Sequence, residues 1–189
     1  MNTALLVIDV QESFRRRTAD WQARTNPKVV EQVDRLVTAA RAAGDLVVWV
    51  LHTEPGSGGV FDPAEGFVRS IEPLAPIEGE PLVHKRSINA FTTTNLHQQL
   101  TANGVHEVSI CGIRTEQCCE STARLASDLG YDVRFVTDAT STSGIEANAG
   151  LAAVSGAELI ARTQSVLSAR GFATIVTTDE LVAPSRVPA

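Results

Sequence analysis

The sequence predicts an α/β fold, a parallel sheet with helices on both faces, and three observations carry that prediction. ALLVIDV and LVVWVL are nearly continuous apolar runs, as expected of strands buried on both faces, and four further short runs read as strands. Between most of them lie segments with apolar residues at helical spacing. Gly44, Gly104 and Gly130 stand just past the ends of three of those segments, where helices commonly stop. Strand and helix alternating in this way call for right-handed crossovers and a parallel sheet.

Residues 4–10 (ALLVIDV) form the first predicted strand. Residues 27–43 follow as a helix, with a proline at the start and Val29, Val30, Val33, Leu36, Val37 and Ala40 at helical spacing. Residues 46–51 (LVVWVL) are the second strand. Residues 52–80 are rich in Gly, Pro and acids without a sustained period, and so long an excursion in a compact domain is usually functional. A short third strand at 82–84 precedes a helix around 94–103. The fourth strand is 105–111, followed by a helix over 116–129 and a fifth strand over 131–136. Residues 146–155 and 157–169 read as helical, and 172–176 is the sixth strand. Strand order is not readable from the pattern.

All of this fits one domain spanning residues 1–189, long enough to bury a full core. A formal net charge of −6 argues against nucleic acid or an anionic membrane as partner, since both select basic surfaces. The opening MNTALLVIDVQESF has no basic leader region and carries an aspartate inside its apolar run, unlike a signal peptide. With an odd number of cysteines, three in all, a reducing cytoplasm and free thiols are expected.

Those cysteines, Cys111, Cys118 and Cys119, lie within one stretch, ICGIRTEQCCESTARLA. Vicinal cysteines point in different directions on a helix and no second pair stands at ligand spacing, which disfavours a metal site. Cys111, at the end of a buried strand, reads as a small core hydrophobe, and Cys119 as structural too. Cys118 differs. With Thr115 as N-cap it would occupy the first helical turn, where unpaired N–H groups favour a thiolate. It is either a nucleophile or a quiet residue of a capped helix.

In open parallel sheets ligands bind beyond the carboxyl ends of the strands. Asp9 ends a strand too apolar to bury a carboxylate without compensation, although an aspartate there could also cap a turn. Lys85, at the end of the third strand, could supply the compensating cation or could reach to solvent. Acid, cation and thiol thus fall at three strand ends.

These residues resemble the isochorismatase-like cysteine hydrolases. LLVIDVQESF is similar to that family's opening strand, with Asp9 as the acid of its triad and Gln11 two residues on. HKRSINAFTTTNL looks like its lysine segment, with Lys85 as the catalytic lysine and Asn89 where serine is usual. GIRTEQCCESTA matches its G-x-x-T-x-x-C turn, with Cys118 as nucleophile, and RGFATIVTTDEL is similar to its closing strand.

The resemblance implies a Rossmann-like three-layer α/β/α sandwich around a six-stranded parallel sheet, assembled as a homodimer or larger homo-oligomer. It implies a cis peptide between Ile113 and Arg114, with the backbone N–H groups of Arg114 and Cys118 forming an oxyanion hole. Phe14, Trp21, Phe61, Asn89 and Phe91 become candidate substrate-binding residues by loop position and analogy. Lys85 and the helix start are expected to favour the Cys118 anion and make it reactive below the pH of an ordinary thiol.

The nicotinamidase branch binds a metal through D-x-H after the second strand, whereas here the matching triplet is Val50-Leu51-His52. No metal and no other cofactor is therefore expected, and His52 reads as a loop or pocket residue. Isochorismatases proper cleave a vinyl ether and lack the cysteine, so Cys118 places this chain on the carbon–nitrogen hydrolase side. The implied activity is hydrolysis of an amide, carbamoyl or ureido group, hydrazide or lactam in a small molecule, through a thioester. The alternatives are a catalytically idle binding or scaffolding member of the fold, a nicotinamidase-like metal-dependent amidase, and a redox thiol protein, against which the missing C-x-x-C spacing counts.

Overall fold

A computed structural model describes residues 2–183. Its sheet has six strands, all parallel: β1 (Thr3–Ile8), β2 (Leu46–His52), β3 (Leu82–Lys85), β4 (Glu107–Ile113), β5 (Asp132–Ser141) and β6 (Thr174–Val176). Their order is β3-β2-β1-β4-β5-β6. The chain builds outward from β1 to one edge and then returns to build outward through β4 to the other. The topological switch therefore falls between β1 and β4, where such sheets bind ligands.

Alternate residues of each central strand feed two separate cores, which is why the strands read as continuous apolar runs. Ala4, Leu6 and Ile8 of β1 join Val48 and Val50 of β2 in a core under α4 (Leu96–Ala102), α5 (Glu120–Asp128) and α6 (Gly156–Ala169). Leu5, Val7, Val47 and Trp49 face the opposite core. There α3 (Val29–Ala43) buries Val29, Val33, Leu36 and Val37 against the sheet and ends on Gly44 at φ 74°. This is the expected three-layer sandwich.

The long stretch between β2 and β3 is ordered and folds back over the end of β1. Phe61, Ile71 and Leu74 are buried in the α3-side core, and Ile71 N–H donates to the Val10 carbonyl at 3.1 Å. Two short helices after β1 were not foreseen: α1 (Glu12–Arg16) and α2 (Thr18–Gln22). At five residues each they are too short to show a period. The short α7 (Thr178–Val182) also escaped, although the Thr177/Glu180 capping box marks its start.

Residues 146–155 are not helical. They lie in a small hairpin with bridges Ile145–Val154 and Asn148–Leu151. Ala149 and Gly150 at its tip have φ 50° and 82°, a turn that helix propensity in an alanine-rich segment conceals. The helix begins only at Gly156, after the capping box of Ser155 and Glu158. No described helix is long and apolar enough to cross a membrane.

Candidate active site

The site is assembled where β1 and β4 meet. Gly112 on β4 stands opposite Ile8, with φ 129°, and a Cβ there would lie 1.9 Å from the Ile8 carbonyl oxygen. Only glycine permits that approach. Beyond Ile8, Asp9 takes a left-handed conformation (φ 52°), which aspartate tolerates better than most residues, while its N–H donates to the Val50 carbonyl at 2.8 Å. The carboxylate is thereby turned into the interior, 0% exposed.

Lys85 arrives from the end of β3, one residue beyond the predicted strand and in register with His52 of β2. It too is 0% exposed. Its Nζ lies 2.7 Å from Asp9 Oδ2 and donates to Cys118 Sγ at 3.4 Å and to the Ser87 carbonyl at 3.2 Å. Gln11, also buried, staples the ends of the first two strands. It accepts from His52 N–H at 2.7 Å and donates to the His52 carbonyl at 3.1 Å.

Cys118 sits in a wide turn, Thr115–Cys119, closed by Cys119 N–H donating to the Arg114 carbonyl at 3.2 Å, and α5 starts only after it. Thr115 is not the N-cap: its hydroxyl donates to Thr140 Oγ1 at 2.9 Å, and Arg114 holds the cap position. The Ile113–Arg114 peptide is cis. Cys111 and Cys119 are fully buried, in opposite cores, whereas Cys118 keeps 6% of its surface exposed.

The electrostatics differ from the sequence expectation. Burial and then the neighbouring Asp9 charge raise the Cys118 thiol well above its ordinary range, with Lys85 opposing them. Burial of the sulfur, and after it the Asp9 charge beside the same cation, thus favour the thiol over a standing thiolate. Burial also raises Asp9, against the pull of Lys85. Lys85 is the cation that meets Oδ2, and Oδ1 has no hydrogen-bond donor among the described residues. Burial disfavours the Lys85 ammonium, but the Asp9 and Cys118 charges outweigh it and raise its pKa. A carboxylate raised in this way is a stronger base, and it lies beside the Cys118 thiol.

A cleft of about 140 Å³ opens onto Asp9 and Cys118. Phe14 and Phe61 form one wall, their rings 5.2 Å apart edge to face, and Arg114 lines it as well. The remaining predicted pocket residues lie elsewhere. Phe91 is buried in the α4-side core, stacked on Tyr131 at 6.2 Å. Asn89 turns its side chain onto its own loop, accepting from the N–H groups of Phe91 and Thr92. Trp21 lines a neighbouring crevice with Arg24 and stacks under that guanidinium at 4.4 Å.

Sequence reasoning missed Arg17, Glu54, Ile88 and Gln117 as cleft residues. Of these only Ile88, an aliphatic residue left 51% exposed amid a polar stretch, offered any signal. His52, left open between loop and pocket, faces the cleft. Among the described residues no three His, Cys, Asp or Glu side chains converge as metal ligands, and Val50 is fully buried in β2.

A model of the isochorismatase domain matches residues 3–179. The uncharacterised isochorismatase family protein YrdC of Bacillus subtilis is 31% identical over 95% of this chain and 94% of its own length. Streptothricin hydrolase of Streptomyces noursei is 36% identical over 78% of this chain, a match that spans 58% of that enzyme. Among solved structures, a cysteine hydrolase from Pseudomonas syringae pv. phaseolicola superposes with a TM-score of 0.87 at 27% identity, covering 96% of this chain and 91% of that one.

Proposed function

The chain belongs to the isochorismatase family of hydrolases, and from that premise we propose that it cleaves a carbon–nitrogen bond in a small non-peptide molecule, with Cys118 as nucleophile. The observation that carries this reading is one buried cation, Lys85 Nζ, lying 2.7 Å from Asp9 and 3.4 Å from Cys118. Acid, cation and thiol come from three strands remote in sequence, at the one edge of the sheet where ligands bind.

In the first half-reaction Asp9 takes the Cys118 proton as Sγ attacks the carbonyl carbon. The carbonyl π pair moves to oxygen, which the N–H groups of Arg114 and Cys118 hold. The oxyanion then collapses, the C–N bond breaks, and Asp9 returns its proton to the leaving nitrogen. Ammonia, an amine or a hydrazine departs, or in a lactam the freed amine stays on the opened chain, and a thioester remains. In the second half Asp9 deprotonates water, which attacks the thioester; the C–S bond breaks, the acid product leaves, and Asp9 returns the proton to Sγ. Lys85 stays an ammonium throughout and offsets whichever neighbour is negative.

The raised affinities of Asp9 and Cys118 for protons suit this cycle, since one proton passes between them rather than to solvent. A cleft of about 140 Å³ suits a small substrate with an amide, carbamoyl or ureido, hydrazide or lactam group. The test is a screen for released ammonia, amine or hydrazine from amides, carbamoyl or ureido compounds and hydrazides, and for ring opening by the mass of one added water in a lactam such as streptothricin, with intact-mass detection of an acyl adduct on Cys118. Unimpaired turnover by Cys118→Ala, or no hydrolysis of any class, would overturn the reading.

A further inference from the structure

His52 ends β2 beside the triad, and its two ring nitrogens meet different neighbours. Nδ1 lies 3.4 Å from Lys85 Nζ, and Nε2 lies 3.2 Å from Glu54 Oε1. An ammonium has only protons to offer, so Nδ1 must face it with a lone pair. The ring proton is then on Nε2, donated to Glu54. The remaining neighbours are the Asp9 charge, which His52 helps to stabilise when protonated, and the Phe61 ring, edge to face at 5.4 Å. Gln11 holds the His52 backbone on both sides, so the strand end does not depend on the imidazole.

Lys85 has four acceptors within reach and three protons to give. Asp9 Oδ2 at 2.7 Å and the Ser87 carbonyl at 3.2 Å take two. His52 Nδ1 and Cys118 Sγ, both at 3.4 Å, compete for the third. We propose that His52 is a positioning residue that draws the third Lys85 proton away from Cys118 and so sets the nucleophile's reactivity. The inference rests on the roles given above to Lys85 and Cys118. In the resting site the imidazole disfavours loss of the Cys118 proton. When a substrate draws the sulfur into attack, the N–H can swing to Sγ at the moment charge develops there.

The test uses iodoacetamide, whose carbon bonds to Sγ as iodide leaves, and follows the rate at Cys118 by peptide mapping at pH 7. His52→Leu removes the acceptor at similar bulk. His52→Asn keeps an acceptor oxygen near the Nδ1 position while opening more space. A charge-assisted hydrogen bond gained by sulfur raises the thiolate fraction about ten- to a hundredfold, and the accompanying loss of nucleophilicity leaves a rate gain of about three- to tenfold.

His52→Leu is therefore expected to alkylate about three- to tenfold faster than the parent, with His52→Asn within about twofold of it. In a Lys85→Met background the effect of His52→Leu should vanish. An unchanged or slower rate in His52→Leu overturns the proposal. So does a His52→Asn rate above that of His52→Leu, which would mean that access controls the thiol. Melting curves establish that each variant is folded, and His52→Met replaces the leucine variant if that one is not. Alkylation needs no substrate, so an unsuccessful ammonia screen would not touch this result.

Discussion

Replacing Asp9 by asparagine should stop the chemistry and, at neutral pH, make the protein more stable. The wild-type carboxylate is 0% exposed, has no donor to Oδ1 among the described residues, and relies on Lys85 at 2.7 Å from Oδ2. Burial outweighs that attraction and raises the Asp9 pKa. A raised carboxylate contributes stability that is fully present below its ordinary value of 3.8 and is lost as pH rises through its folded value. Asparagine carries no such penalty. It also suits the backbone, since φ is 52° at position 9 and asparagine accepts the left-handed region readily.

The gain has a ceiling, because a carboxylate too costly to ionise simply keeps its proton. Each unit between 3.8 and neutrality is worth about 1.4 kcal/mol, which caps the gain at pH 7 at about 4 kcal/mol. Replacing a whole buried ion pair by apolar residues commonly gains about 1–4 kcal/mol, but Asp9→Asn leaves the Lys85 charge without its partner, so no more than the lowest part of that range is the expectation here. Urea unfolding of both proteins at pH 4, 5, 6, 7 and 8 measures it. The two curves should converge near pH 4 and separate in favour of Asp9→Asn as pH rises. A difference that is flat with pH, or a wild type that is the more stable at pH 7, would refute the reasoning. Turnover should fall at least about 10²-fold in the same variant.

Lys85→Met should move stability the other way, because the raised lysine gains from its partners. A loss of up to about 3 kcal/mol in urea, together with a turnover loss of at least about 10²-fold, is expected; an unchanged urea midpoint would contradict it. Gly112→Ala brings a Cβ to 1.9 Å from the Ile8 carbonyl at an unfavourable φ and should cost about 2–6 kcal/mol, read as a large drop in melting midpoint. Among the three thiols, Cys118 should label first, since Cys111 and Cys119 are fully buried. Labelling that begins at either of those would remove Cys118 from the mechanism. Exhaustive EDTA treatment should leave ammonia release intact, since Val50 cannot ligate and no three-donor cluster exists among the described residues. Loss on chelation, restored by zinc, iron or manganese, would place the chain in the metal-dependent branch.

The sheet and its strand-end chemistry were legible because both are local signals. Continuous apolar runs announce strands, and a carboxylate, lysine or thiol at the end of one is visible in a single stretch. What escaped depends on partners far along the chain. Thr115 has the composition of an N-cap, but its hydroxyl is engaged by Thr140 from β5. Phe91 sits in a loop by sequence and is claimed by Tyr131 and the core. The expectation of a standing thiolate counted Lys85 and omitted the burial of the sulfur and, after it, the Asp9 charge. The order of the strands, which puts Asp9 beside the Cys118 turn, has no local signature at all.

Lys85 is carried by the outermost strand of the sheet, four residues long and paired only with β2. Edge elements with a single neighbour open at a lower free energy than the strands inside them. Each transient detachment of β3 takes the ammonium away and leaves Asp9 and Cys118 facing each other without a counter-charge, while the rest of the sheet stays folded. Amide exchange at Thr53, whose N–H donates to the Lys85 carbonyl at 2.8 Å, reports that opening directly. Inactivation on mild denaturation should thus follow the fraying of one short edge and run ahead of global unfolding.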